Sequence, residues 1–225
     1  VSFGEPIALR GQLNLEQVAA AASDELRAAA ATDNQFIDRL RAGEAAAFEH
    51  LVNERSGEVY ALLYRLTEDT EEARDLTQET FLRAFQNIGR FRGDANLKTW
   101  LYRIAINQAR NRWRWWRRRR RDVTVSLDAQ DGQQEQTLGS RLRAAGNNPE
   151  QETLARERET SLRLALRSLS RSYREAVILR DVEGLSYEEI AVALEISIGT
   201  VKSRLSRGRL ELRRALESSL SISNR

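Results

Sequence analysis

The stretch "LSYEEIAVALEISIGTVKSRLSRGRLELRRAL", residues 185–216, decides the architecture. Ser186 followed three places later by Glu189 is a capping box, in which hydroxyl and carboxylate each accept from the other's backbone N–H, and it starts a helix. That helix turns Ile190, Ala191 and Leu194 inward and is barely two turns long. A second helix begins near Ser197, whose hydroxyl can cap it, and carries Val201, Leu205 and Leu212 on one apolar stripe. Short helix, tight turn and long helix together are the grammar of a helix-turn-helix. The face turned away from Val201 and Leu205 displays Ser203, Ser206 and Arg207, with Lys202 and Arg204 at its flanks, and these donors suit base edges and phosphates. A solvated basic helix held by pairs such as Arg207 with Glu211 is the bland alternative. Cap, turn and basic face agree with one another and favour nucleic acid.

Upstream of this unit the chain divides by periodicity. Residues 1–32 begin irregularly around Gly4 and Pro6 and become alanine-rich with a thin apolar face, which reads as a mobile extension. Residues 33–120 are helical throughout, with Phe36, Ile37, Leu40, Phe48, Leu51, Leu62, Leu63 and Leu66 recurring at helical spacing. Residues 121–151 are polar, carry Gly and Asn, reach a breaker at Pro149 and read as a flexible linker. Helical periodicity returns over 152–220, and 221–225 form a tail. The expected fold is therefore all-α, with two small helical domains and no strand-like alternation of any length.

A second conspicuous stretch closes the first domain. "NQARNRWRWWRRRRRDV", residues 107–123, sets three tryptophans inside a run of arginines. An arginine run alone is usually a solvated face or a basic tail. Tryptophan alters that reading, because an indole left in water forfeits a large apolar burial. Arginine stacks on flat rings and grips phosphate with a planar fork. The mixture suits nucleic acid, and less well an anionic membrane surface.

Composition excludes other classes. In 225 residues, Lys+Arg 36 nearly cancel Asp+Glu 33, so the segregation of charge carries the information: 110–121 and 202–214 are basic, whereas 68–79 is acidic. Such segregation fits several different partners. With no cysteine there are no disulfides or thiolate metal sites, which is compatible with a reducing cytoplasm. His50 is the only histidine, too little for a zinc site or a catalytic triad, and reads as structural. No metal or cofactor is expected, and no nucleophile, base and metal cluster suggests an enzyme. No apolar run reaches transmembrane length and no secretory pattern opens the chain, so stable membrane insertion is not expected.

Residues 179–216 strongly resemble region 4 of the extracytoplasmic-function sigma factors, the small subunits that direct bacterial RNA polymerase to promoters. Independently, "ARDLTQETFLRAFQNIGRFRGDANLKTWLYRIAINQARNR", residues 73–112, resembles their region 2. The order of the two matches and the linker between them fit the family, and the pair is far more specific than a helix-turn-helix alone. The resemblance implies a cytoplasmic initiation factor with no region 3 domain. It would bind core RNA polymerase through the clamp helices and flap, recognise −35 duplex, open −10 duplex, and be held by an anti-sigma factor.

The resemblance also assigns residues. On the helix "DLTQETFLRAFQNI", Phe81, Ala84, Phe85 and Ile88 read as the core stripe. The outward Asp75, Gln78, Glu79 and Leu82 take the family's role of gripping the clamp helices. "GRFRGDANLKTW" reads as a loop. In the family that loop and the next helix capture a flipped base of the −10 non-template strand, a role that falls on Trp100, Asn107, Asn111 and Arg112, although Trp100 also suits a core. Arg114, Arg117, Arg118, Arg119, Arg120 and Arg121 would hold duplex phosphates without reading sequence. Thr200, Lys202, Ser203, Arg204, Ser206 and Arg207 would contact the −35 element. Two other functions compete. A dimeric operator-binding regulator leaves the acidic helix and the loop unexplained. A membrane-surface protein explains only the Trp and Arg run.

Overall fold

A computed structural model describes residues 34–93, 95–121 and 149–223, and every regular element among them is helical. The extension 1–32 and linker residues 122–148 lie outside the described residues. In chain order the elements are α1 (34–41), α2 (Ala45–Thr67), α3 (Thr70–Asn87) with a 3-10 turn Ile88–Arg90, and α4 (Leu97–Arg121). There follow α5 (Pro149–Ser168), α6 (Arg171–Val177) running into a π turn Ile178–Val182, α7 (Tyr187–Leu194) and α8 (Ile198–Ser223). Two compact units part between Asn53 and Glu54.

The first unit buries Leu40, Ala47 and Leu51. His50 meets Phe36 edge to face with ring centroids 5.5 Å apart, a packing contact that suits its structural reading.

In the second unit α3 packs on α4, α4 also packs on α7, and α8 packs on α5, α6 and α7. Asp69 starts α3 by accepting from the Glu72 N–H at 2.8 Å. Ala73, Leu76, Phe81, Ala84 and Ile88 are its buried face. Phe85 departs from the expected core stripe. At 51% exposure it lies on the outer side of α3, because a step of one residue from Ala84 turns the side chain about 100° round the axis. Asn96 caps α4 by accepting from the Thr99 N–H at 2.7 Å, which ends the loop that precedes it.

On α4, Thr99, Leu101, Tyr102, Ala105, Ile106, Gln108 and Ala109 are all buried, too broad an arc for one stripe. The helix is covered on two sides, consistent with its packing on both α3 and α7. Pro149, a breaker in the sequence reading, is the first residue of α5, where its missing N–H costs nothing. The helix-turn-helix forms as its sequence predicts. Both capping-box bonds are made, Ser186 N–H to Glu189 at 2.8 Å and Glu189 N–H to the Ser186 hydroxyl at 3.1 Å. Ser197 accepts from the Thr200 N–H at 3.2 Å to start α8. The turn between the helices passes through Glu195 in the left-handed region, at φ 57° and ψ 49°.

Candidate nucleic-acid interface

Helix α8 separates its two faces cleanly. Val201 and Leu205 are buried, while Lys202, Ser203, Ser206 and Arg207 are exposed and Arg204 is partly so. Thr200 bonds the Ser197 hydroxyl at 2.9 Å, and the Ser203 hydroxyl donates to the Thr200 carbonyl at 2.9 Å. These two therefore face the helix start with part of their hydrogen-bonding capacity engaged.

Sequence reasoning passed over Gly208. A Cβ at this position would meet Val177 Cγ2 at 2.9 Å and Tyr173 Cβ at 3.1 Å, so the glycine lets α8 lie directly on α6. An isolated glycine inside a helical pattern was the available signal.

On α3, Asp75, Gln78 and Leu82 are exposed on one face, Leu82 at 58%. Glu79 is partly covered and accepts from Arg83 Nε at 2.7 Å. Leu82, Phe85 and the flanking acids make this an apolar patch with a negative border.

The residues expected at the −10 element lie along α4. Trp100, Asn107 and Asn111 fall within about 20° of one line along the axis. Trp100 is half-buried against Phe91, with centroids 5.3 Å apart, so it serves partly as core. Asn107 is half-buried, and exposed Asn111 accepts a hydrogen bond from Arg114.

The aromatic and basic run continues α4 into solvent, with Trp113, Trp115 and Trp116 each between 42% and 48% exposed. The arginines stack on these rings, Arg117 over Trp113 at 5.2 Å and Arg119 over Trp115 at 4.9 Å, while Trp115 and Trp116 meet edge to face. Arg114 and Arg118 are exposed, and the side chains of Arg120 and Arg121 lie outside the described residues.

Arg112, Trp113, Trp116 and Arg117 face Asp69, Glu71, Glu72 and Asp75 across a groove of about 770 Å³. Burial there raises the Glu72 carboxyl above its usual range, against the opposing pull of Arg112 and a hydrogen bond from Trp116.

A further set of contacts on α4 had no counterpart in the sequence reading. Arg110 donates to Glu175 at 2.6 Å from Nη2 and 3.1 Å from Nε, and Arg171 reaches the same carboxylate at 3.1 Å. The Glu175 side chain is only 2% exposed. Tyr102 donates to Glu183 at 2.6 Å while Arg65 donates to that glutamate at 2.8 Å. Burial, together with the Glu183 carboxylate, pushes the Tyr102 hydroxyl far above its ordinary range, so it remains a donor. The polar residues at 99, 103 and 110 fall on one side of the helix, but their spacing names no partner for them.

Among the described residues no cluster of His, Asp or Glu could hold a metal ion, and no helix is long and apolar enough to cross a membrane.

Comparison with known proteins assigns these parts. Residues 51–121 match the family model described as Sigma-70 region 2, and residues 159–212 match that described as Sigma-70, region 4. The chain is thus a sigma factor of RNA polymerase, a promoter-specific transcription initiation factor and not an enzyme. The RNA polymerase sigma-H factor of Pseudomonas aeruginosa is 37% identical over 185 residues, which cover 82% of this chain and 94% of that protein. The ECF RNA polymerase sigma-E factor of Haemophilus influenzae is 35% identical over 79% of this chain and 92% of its own length. The ECF RNA polymerase sigma factor SigW of Bacillus subtilis is 34% identical over 80% and 94%. The chain belongs to the extracytoplasmic-function sigma factor family.

Among solved structures, the sigma factor RpoE in complex with the anti-sigma factor NepR from Bartonella quintana aligns with a TM-score of 0.58 at 29% identity, over 76% of this chain and 96% of that one. CnrH in complex with the cytosolic domain of CnrY shares the fold, with a TM-score of 0.56 at 23% identity over 83% and 97%.

Proposed function

We propose that this sigma factor acts in the cytoplasm through three surfaces. The domain at 33–120 binds the clamp helices of core polymerase with Asp75, Gln78, Glu79 and Leu82. Its helix α4, through Trp100, Asn107, Asn111 and Arg112, captures the unpaired −10 strand, and the arginines from Arg114 to Arg121 hold duplex phosphates without reading sequence. The domain at 152–220 engages the flap and reads the −35 element through α8. An anti-sigma factor restrains the free protein, as the complex of the similar sigma factor RpoE with the anti-sigma factor NepR suggests. With no nucleotide-binding glycine loop in the sequence, strand opening draws on binding free energy alone.

The observation that carries the reading is the polarity of α8. Lys202, Ser203, Ser206 and Arg207 all point to solvent opposite buried Val201 and Leu205. The test is binding of holoenzyme, assembled with alanine variants at each of these positions and at Arg204, to a promoter library randomised across the −35 region. Arg204→Ala or Arg207→Ala should relax preference at one base position at a cost of about 1 to 3 kcal/mol, as loss of a bidentate contact to guanine does. Lys202→Ala should weaken all sequences alike. Parental base preferences in every variant would show that another element reads the −35 region.

A further inference from the structure

The helical angle divides the aromatic and basic end of α4 into two faces. Successive residues turn about 100° round the axis, so Arg114 and Arg118 fall within about 40° of the line of Trp100, Asn107 and Asn111 and continue it. Trp113 and Trp116 are turned about 140° and about 160° away from that line. A strand held along Asn107 and Asn111 therefore meets the two arginines and not these two indoles.

The indoles face the start of α3 instead. With Arg112 and Arg117 they form one wall of the groove of about 770 Å³ whose other wall is Asp69, Glu71, Glu72 and Asp75. Trp116 donates a hydrogen bond to Glu72, which ties the walls together, and Trp116 remains 46% exposed. Four carboxylates against two guanidiniums leave the lining negative, and Arg74, bonded to Glu71 at 2.8 Å, offsets only one of them. Such a lining disfavours phosphate and favours a cation. An indole beside carboxylates suits an arginine or lysine side chain, because the ring attracts the charge and a carboxylate accepts from the N–H groups. Trp113 shows that an indole of this run carries two cations at once, Arg117 and Arg171, each 5.2 Å from its centroid. The groove is also continuous with the outer face of α3. Glu71, Asp75, Gln78 and Leu82 are all exposed and lie within about 60° of one another round that helix, and Asp75 belongs to both surfaces.

We propose that this groove is the outer end of the core-polymerase docking surface, and that it seats an arginine or lysine side chain of core polymerase between the Trp116 ring and the carboxylate of Asp75. The proposal rests on the reading of the outward face of α3 as polymerase-binding. It gives the tryptophan and arginine run two partners on two faces. Arg114 and Arg118 extend the surface for DNA, and Trp116 extends the surface for polymerase. A tryptophan in a basic run is thereby a protein contact placed where α3 supplies the acids, rather than a stacking platform for bases.

The test compares full-chain variants in two assays, affinity for core polymerase and promoter affinity of holoenzyme formed at saturating core. Trp116→Ala should weaken core binding roughly three- to thirtyfold, the range of a cation–π contact, and leave promoter affinity at saturating core unchanged. Trp116→Phe, which keeps a ring, should recover most of the loss. Asp75→Ala should also weaken core binding, and the double variant should lose less than the product of the two single losses, because both groups hold one cation. A general folding defect would not produce that coupling. Gln78→Ala with Leu82→Ala, outside the groove, reports on the α3 face by itself. Parental core binding by Trp116→Ala while this α3 variant is weakened overturns the groove alone, and undiminished binding by the α3 variant overturns the reading of α3 and the proposal with it. Loss of promoter affinity alone in Trp116→Ala makes the indole a DNA contact and overturns the proposal. Independent, multiplying losses for Trp116 and Asp75 overturn the shared cation.

Discussion

Gly208→Ala tests the packing that presents the reading face of α8. The added Cβ would lie 2.9 Å from Val177 Cγ2 and 3.1 Å from Tyr173 Cβ, with the Tyr173 carbonyl oxygen at 3.4 Å. The first separation is shorter than real Cβ contacts, and Val177 is 1% exposed, so this partner has no room to withdraw. Overpacking of this kind costs about 1 to 3 kcal/mol. Replacing a mid-helix glycine with alanine returns about 0.8 to 1 kcal/mol, so the net loss is about 0 to 2 kcal/mol. Gly199→Ala on the same helix is the control, because its Cβ would meet only Ser197 Oγ at 3.9 Å, an ordinary contact. Gly199 lies in the first turn of α8, where the propensity gain of a helix interior is smaller, so it reports an unstrained glycine replacement against which Gly208→Ala should fall by up to about 2 kcal/mol. Urea unfolding of the full chain followed by circular dichroism gives the size, and amide hydrogen exchange across α6 and α8 gives its location. If Gly208→Ala is as stable as Gly199→Ala, the two helices do not approach as closely as the argument requires.

Glu175→Ala should destabilise the second unit. Removing one partner of a buried ion pair costs about 3 to 5 kcal/mol, and because Arg110 and Arg171 keep 24% and 30% exposure the expected loss is nearer about 2 to 3 kcal/mol in urea unfolding. Glu189→Gln addresses pH. The Glu189 carboxyl is held below its usual range, first by the hydrogen bond from the Ser186 backbone, so its stabilisation is present above the ordinary carboxylate value and lost as pH falls through the folded-state value. The stability gap between parent and this variant should therefore close on acidification below about pH 4.5, and a gap independent of pH would show that the charge plays no part. Glu72→Gln should behave in the opposite sense. Burial raises that carboxyl, so its ionisation costs stability as pH rises from the ordinary value through the folded-state value, and the variant should be the more stable at neutral pH.

What the sequence made legible follows from where the determining contacts lie. The helix-turn-helix rests on contacts three or four residues apart, Ser186 with Glu189 and Ser197 with Thr200, and these are written directly in the spacing. The outward set on α3 was equally readable, because Leu76, Phe81 and Ala84 fix which side is inside. Phe85 was misplaced because its size suggested burial where the helical angle does not provide it. The second face of α4 could not be read locally. Arg110 and Glu175 are 65 residues apart, Tyr102 and Glu183 are 81, and nothing in the periodicity of either segment names the other. The glutamates at 183, 189 and 195 look like ordinary solvated charges until the fold brings α7 and the residues that flank it against α4.

The interleaving of tryptophan and arginine at the end of α4 follows from the same geometry. A run of arginines alone would be held apart by mutual repulsion and would offer a partner only flexible charge. Exposed indoles give the guanidiniums flat surfaces to rest on, and Arg117 and Arg119 are held over Trp113 and Trp115 in this way. The ring of Trp113 is shared, since Arg171 of the second domain stacks on it at the same 5.2 Å distance as Arg117. One indole therefore orders a cation on its own helix and receives one from the other domain. The basic run is thus already shaped in the chain itself, so a partner meets an ordered surface rather than one that must pay the full entropy of ordering its side chains on binding.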